Sequence, residues 1–309
     1  MIKKSESTAG FSIVELMIAM TLGILLSGLI LDVTLSSSRS NRIVELNSEM
    51  IENGRYATNL LKNEIRLAGF YGRLEVYSTV LAVQPDECTG LTLADLITGM
   101  TFPLSGLDEV AAGTTVCGGD TLLAGSDVLL IRRADTSFVV TTAGLNNAQH
   151  YLQTTITDRV LDVGSATTFI LTNKDGLTLA PIREYRQDIY YVDQSNVFKR
   201  LHLVNGAYTV EPLVEGVDDF QVVYGVDTSA NGISNQDVEL PASTADWENV
   251  VSVKFFLLMS SINAAPGLMD AKTYSYADKA GVTFLDSKKR RLFSSVARLT
   301  NVSMKRAGQ

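Results

Sequence analysis

Histidine, cysteine and proline are all scarce in this chain, and each scarcity narrows what it can do. Only His150 and His202 are present in the 309 residues. They lie apart, with no second ligand three or four positions on, so both read as ordinary strand or loop residues. No G-x-S-x-G elbow, H-E-x-x-H helix or P-loop is found, and no G-x-G-x-x-G follows a strand. The chain is therefore expected not to be an enzyme. An excess of basic charge is also missing, with 26 Lys and Arg against 34 Asp and Glu, a formal net charge of -8. The acids are spread along the chain rather than gathered into tails. Nucleic-acid binders present a basic field to phosphate, so no nucleic-acid partner is expected. One local exception is Lys288, Lys289, Arg290 and Arg291, followed by Arg298, Lys305 and Arg306 with no acid after Asp286. It reads as a basic strand edge compensating an acidic body, the alternative being a phosphate or DNA contact.

Of cysteines there are two, Cys88 and Cys117, in or beside a loop-like stretch rich in Gly, Thr and Asp. Their spacing fits no zinc or thioredoxin pattern. In an oxidising compartment one disulfide closing a loop of roughly 30 residues contributes about 3–4 kcal/mol on the chain-entropy model. In the cytosol they would be two free thiols. The compartment decides between these, and the N-terminus decides the compartment.

Residues 1–10 are polar and include Lys3 and Lys4; then the character changes. From 11 to 31 the only charge is Glu15, and residues 16–31 form a run of sixteen with none. As helix that run spans about 24 Å, and it crosses a hydrocarbon core of about 30 Å once residues 11–14 are added. Lysines before the span keep residues 1–10 on the cytoplasmic side and send the rest outward, together with both cysteines. A secretory signal peptide predicts a small-residue cleavage site after the apolar run. Here Asp32, Ser36 and Arg39 follow it, and the small residue, Gly10, precedes it. A carboxylate within lipid is costly and points to function.

The stretch Gly10-Phe11-Ser12-Ile13-Val14-Glu15-Leu16-Met17 resembles the type III signal of type IV prepilins and pseudopilins. That resemblance implies a prepilin peptidase cutting between Gly10 and Phe11 and N-methylating Phe11. It makes Glu15 the acid that meets the terminal amine of a neighbouring subunit, which would give the carboxylate a cationic partner in lipid.

Beyond Asp32 the pattern becomes amphipathic. Ile43, Leu46, Met50, Ala57, Leu61, Ile65 and Ala68 recur at three- and four-residue steps, with one longer step across Gly54. Charged residues, Glu64 among them, fill the remaining faces, and no proline occurs before Pro85. One helix of about 85 Å is expected over residues 11–68, ending at Gly69 and Gly72. From about residue 74 strands take over. The expected ones are 127–132, 138–142, 169–172, 188–192, 197–203, 208–213, 220–224, 250–259 and 292–304, with loops over 90–125 and 227–246. Asn205-Gly206 reads as a tight hairpin turn. There is no internal repeat and no low-complexity linker. The fold class is α+β, a long N-terminal helix packed on a mainly antiparallel β-sheet. Four segments follow: a leader over 1–10, a transmembrane and assembly helix over 11–31, its amphipathic continuation over 32–70, and a β-rich globular domain over 71–309.

Further segments are similar to PilW-type minor pilins: residues 66–72, 126–129, 190–192, the run 215–227, Trp247, 250–258 and 291–301. The resemblance implies a minor pilin that primes type IV pilus assembly, sits in the tip complex and supports twitching motility. Its partners would be other minor pilins, the major pilin, the prepilin peptidase and the bacterial inner membrane, with the domain in the periplasm and, after assembly, at the cell surface. J-type pseudopilins of type II secretion share the plan, and a membrane-tethered periplasmic enzyme or binding protein with an uncleaved anchor is the reading of another class. No cofactor is expected, with one exception. Asp227, Ser229 and Asn231 offer oxygens at alternate positions before Gly232, as the first half of a calcium loop does. The register is wrong for an EF-hand, and a plain Asp/Asn/Gly turn gives the same pattern.

Overall fold

The computed structural model describes residues 10, 12–75, 88, 92–265 and 267–307. Residues 1–9 and Phe11, hence most of the leader and the new terminus of the cleavage reading, lie outside the described residues.

Helix α1 (Ile13–Leu67) begins at a capping box. Ser12 Oγ accepts from the Glu15 amide at 3.2 Å, and Glu15 Oε2 accepts from the Ser12 amide at 3.0 Å, satisfying two N–H groups that a helix start leaves unbonded. It stops where Gly69 and Gly72 both take positive φ. Its first half touches nothing, whereas from Leu46 onward one stripe is buried: Leu46, Met50, Gly54, Ala57, Leu61, Glu64 and Ile65. Each large apolar member contributes about 2 kcal/mol by leaving water. Two details of the stripe depart from the sequence pattern. Gly54 belongs to it because the Phe293 ring lies against its backbone, and a Cβ there would stand 2.4 Å from that ring. Glu64, assigned to the polar face, is buried.

A seven-stranded antiparallel sheet contains β1 (Leu104–Leu107), β2 (Val128–Ala134), β3 (His150–Thr154), β4 (Arg159–Val163), β5 (Ile182–Val192), β6 (Val197–Val204) and β7 (Ala207–Glu215). The order is β1-β2-β5-β3-β4, with β6 on the far half of β5 and β7 beyond it. Asn205 and Gly206, both at positive φ, close the two-residue turn between β6 and β7. The chain then passes to a second sheet at Gly216, whose φ is +76 and where a Cβ would lie 2.5 Å from the Ser260 carbonyl oxygen, so only glycine fits. That sheet has the order β13-β10-β8-β9, from β8 (Val217–Val226), β9 (Gln236–Val238), β10 (Val250–Ser260) and β13 (Arg290–Arg298). A hairpin, β11 (Thr273–Tyr276) with β12 (Lys279–Thr283), places Tyr276 and its neighbours over the outer face of β10. The main core lies between α1 and the two sheets.

Several expected elements differ. Residues 138–142 and 169–172 form only isolated bridges, Val139 with Ile182 and Thr172 with Leu179. Strand propensity needs a neighbour to pack on, and Phe138, Val140 and Ile170 are left exposed. The expected strand 292–304 ends at Arg298. Its remainder is helix α4 (Thr300–Ala307), tied to the end of α1 by Asn301, which donates to the Ala68 carbonyl at 3.2 Å. The expected loop 90–125 holds α2 (Leu93–Gly99), started by a Thr92–Asp95 capping box, and β1. Helix α3 (Thr244–Glu248) interrupts the second expected loop and buries Trp247 against Tyr224.

Candidate functional site

The free half of α1 is a long, exposed apolar surface. Ile13, Ile24, Leu29 and Ile30 are 80%, 73%, 65% and 65% exposed. A soluble protein covers such a stretch, whereas lipid or packed partner helices leave it stable. Its two threonine hydroxyls are compatible with an apolar medium, since Thr21 donates to the Met17 and Ile18 carbonyls and Thr34 to that of Ile30. Met20, Gly23, Ile24, Ser27, Gly28 and Leu31 line a shallow groove of about 650 Å³, where the glycines open room for close backbone approach. Gly10 is exposed ahead of the helix, and a Cβ on it would meet nothing. Glu15 stands in the first turn, where the helix dipole favours a carboxylate.

Cys88 and Cys117 are disulfide-bonded, with Cα atoms 4.5 Å apart, and pack beside Val110, Val116 and Leu122. The 29-residue closure pins this region to the first sheet.

The Asp227 turn does not fit calcium. Asp227 is fully buried; Oδ2 accepts from the Gly232 amide at 2.7 Å and from Arg306 Nε at 3.1 Å, while Oδ1 accepts from Ser229. Burial acts to raise its pKa, but the Gly232 amide, Arg306 and Ser229 hold the carboxyl well below the usual range. A guanidinium thus occupies the place a cation would need, and Asn231 turns its oxygen to the Ile233 amide instead. The turn latches α4 to the sheet. Among the described residues no group of three metal-ligating side chains is found.

Three of the basic residues near the C-terminus are engaged within the fold. Arg290 is buried between Asp218 at 2.5 Å and Asp286 at 2.6 Å, Arg306 holds Asp227, and Lys305 donates to the Leu74 carbonyl at 2.8 Å. His202 pairs with Asp188, and His150 is buried on β3.

The sequence likeness covers the end of the first sheet and all of the second. Residues 189–301 match the family described as Type IV Pilus-assembly protein W, PilW. The C-terminal sheet is PilW-like. The PilW-matching span runs from β5 to the first residues of α4, so it takes in the Gly216 crossing, β8, and the strands β10 and β13 on which α1 rests. No curated protein matches the chain. Among solved structures, a type IV-like pilin from Thermus thermophilus, TTHA1219, aligns with a TM-score of 0.37 and 12% identity over 84% of this chain and 97% of that one.

Proposed function

We propose that this chain is a minor pilin, made as a prepilin, that primes type IV pilus assembly and sits in the tip complex. The observation that carries the reading is a conjunction: a PilW-like sheet holds the second half of a 55-residue helix whose first half is apolar and free of any contact with its own domain. The prepilin-like sequence at Gly10, Phe11 and Glu15 supports cleavage after Gly10, N-methylation of Phe11 and insertion in the inner membrane. The disulfide supports a periplasmic domain, since such bonds persist in oxidising compartments. Other minor pilins and the major pilin are then the neighbours of the free half-helix, and prepilin peptidase is the processing partner. The domain contributes packing and a surface, with no catalytic role.

Two measurements test this. Mass spectrometry of the mature protein should find a methylated Phe11 as first residue; retained Met1 excludes the reading. Deleting the gene should remove surface pili and twitching while protein secretion continues. Loss of secretion with pili intact would instead assign the chain to a type II system as a J-type pseudopilin.

A further inference from the structure

We propose that the outer edge of β13 is a docking edge for an extended, acid-flanked segment of another protein, which adds to the PilW-like sheet as a fifth strand. β13 is paired along one side only, with β10, in an unbroken register from Ser252↔Arg298 to Ser260↔Arg290. The Leu299 amide donates to the Val251 carbonyl at 2.8 Å, and the Ser261 amide to that of Lys289 at 2.8 Å. Because bonded residues alternate along an antiparallel ladder, the odd-numbered residues of β13 face β10. The N–H and C=O groups of Leu292, Ser294 and Val296 therefore point the other way. Among the described residues no backbone hydrogen bond meets them there.

Sheet edges are normally blocked by shortness, proline, charge or bulges, and the other edges of this molecule show it. β1 and β9 have four and three residues. β7 carries Glu211, Pro212 and Glu215, and a register shift. β4 is five residues long and carries Arg159 and Asp162. Residues 292–297, Leu-Phe-Ser-Ser-Val-Ala, contain no charge, no proline and no glycine. Ser294 is exposed, and Val296 is 57% exposed.

Charge selects the occupant. Lys288, Lys289 and Arg291 stand at one end of this neutral stretch and Arg298 at the other, while Lys254 lies beside Val296 on the same face of the sheet. Among the described residues no carboxylate forms an ion pair with any of these five. The chain as a whole carries -8, yet the charged residues at both ends of this neutral stretch are basic. Two β13 edges would repel one another, whereas a segment with carboxylates flanking a short neutral centre satisfies both the backbone and the charges. Main-chain bonds give such additions their affinity and the flanking charges their selectivity.

The test uses the full chain in detergent micelles and, as probe, a synthetic peptide with two glutamates at each end of an alternating threonine–valine centre. The expected result is saturable binding that weakens about tenfold or more in Ser294→Pro. Proline at that position removes only an outward N–H, which edge strands tolerate, so the variant should melt with the wild type. If it melts lower, Val296→Pro, whose N–H also points outward, takes its place. A lysine-flanked peptide should bind at least about tenfold more weakly than the glutamate one. No binding, full binding to the proline variant, or equal binding of the two peptides would each overturn the proposal.

Discussion

Arg133 on β2 grips Glu64 on α1 with two parallel hydrogen bonds, Nε to Oε2 at 2.7 Å and Nη2 to Oε1 at 3.1 Å, across 69 residues of sequence. Both side chains are buried. The pair fixes the rotation and height of the helix on the first sheet, because a bidentate contact tolerates little sliding.

Removing one partner should therefore cost more than the pair itself is worth. Glu64→Ala leaves an uncompensated buried guanidinium and is expected to destabilise the domain by about 3–5 kcal/mol. The double variant Glu64→Leu with Arg133→Met should recover most of that loss. Urea unfolding of the detergent-solubilised chain measures both; additive losses would mean that the contact is not coupled.

Gly54 gives a second handle on the same interface. Gly54→Ala raises intrinsic helix propensity by about 1 kcal/mol. Its new methyl meets the Phe293 ring at 2.4 Å, however, and overpacking costs about 1–3 kcal/mol. A net loss is expected in the wild-type background. With Phe293→Leu already in place the same change should stabilise. A change of sign in the melting shift is the readout.

Asp127 makes stability depend on pH. It ties the sheets together, donating its amide to the Phe220 carbonyl at 2.8 Å and accepting from the Val222 amide at 2.7 Å and the Glu109 amide at 3.0 Å. Burial pushes its carboxyl up to about 7 in spite of those two amides, against about 3.9 in an unfolded chain. Between these values the folded state holds the proton more tightly. Stability from this group is thus complete below about pH 4 and is lost as pH rises to about 7, by up to about 4 kcal/mol. Asp127→Asn forfeits one acceptor and should be weaker than wild type near pH 4.5 by about 1–2 kcal/mol. That deficit should shrink or invert by pH 7.5, so parallel unfolding curves for the two proteins would contradict the assignment.

Breaking the disulfide should lower stability without changing the fold. Cys117→Ser opens a closure spanning 29 residues, with an expected loss of about 3–4 kcal/mol on the chain-entropy model. Melting with and without reductant measures it, and the variant should be insensitive to the reductant. Equal melting of oxidised and reduced wild type would show that this loop adds nothing to the folding unit.

Glu15 should matter to assembly rather than to insertion. Glu15→Ala removes a carboxylate from the apolar segment, which eases insertion, and loses a capping contact worth about 1 kcal/mol. The expected phenotype is a normal membrane level of the protein with few or no surface pili. Normal piliation would sink the role given to this residue.

How much could be read in advance follows from where each signal lives. The Asn205-Gly206 turn, the helix end at Gly69 and Gly72, and the strands through residues 188–224 and 250–259 are legible because local backbone chemistry or a continuous apolar run specifies them. β3 and β4 are not legible in the sequence because five-residue strands of mixed polarity carry no period of their own; they exist through pairing with each other and, for β3, with β5. The partner of Asp227 is hidden for a similar reason, because Arg306, which donates to its carboxylate, lies 79 positions away.

By itself the sequence determined the long helix, its division into an apolar and an amphipathic half, the α+β class and the candidate disulfide, since each depends on composition and periodicity along a short stretch. Only the tertiary structure decided which charges are buried partners. It turned Glu64, Arg290 and Arg306 from surface residues into clasps, and it left β13 as the one long edge among the described residues without a blocking device. Burial and pairing are properties of distances across the fold, and a linear pattern does not contain them.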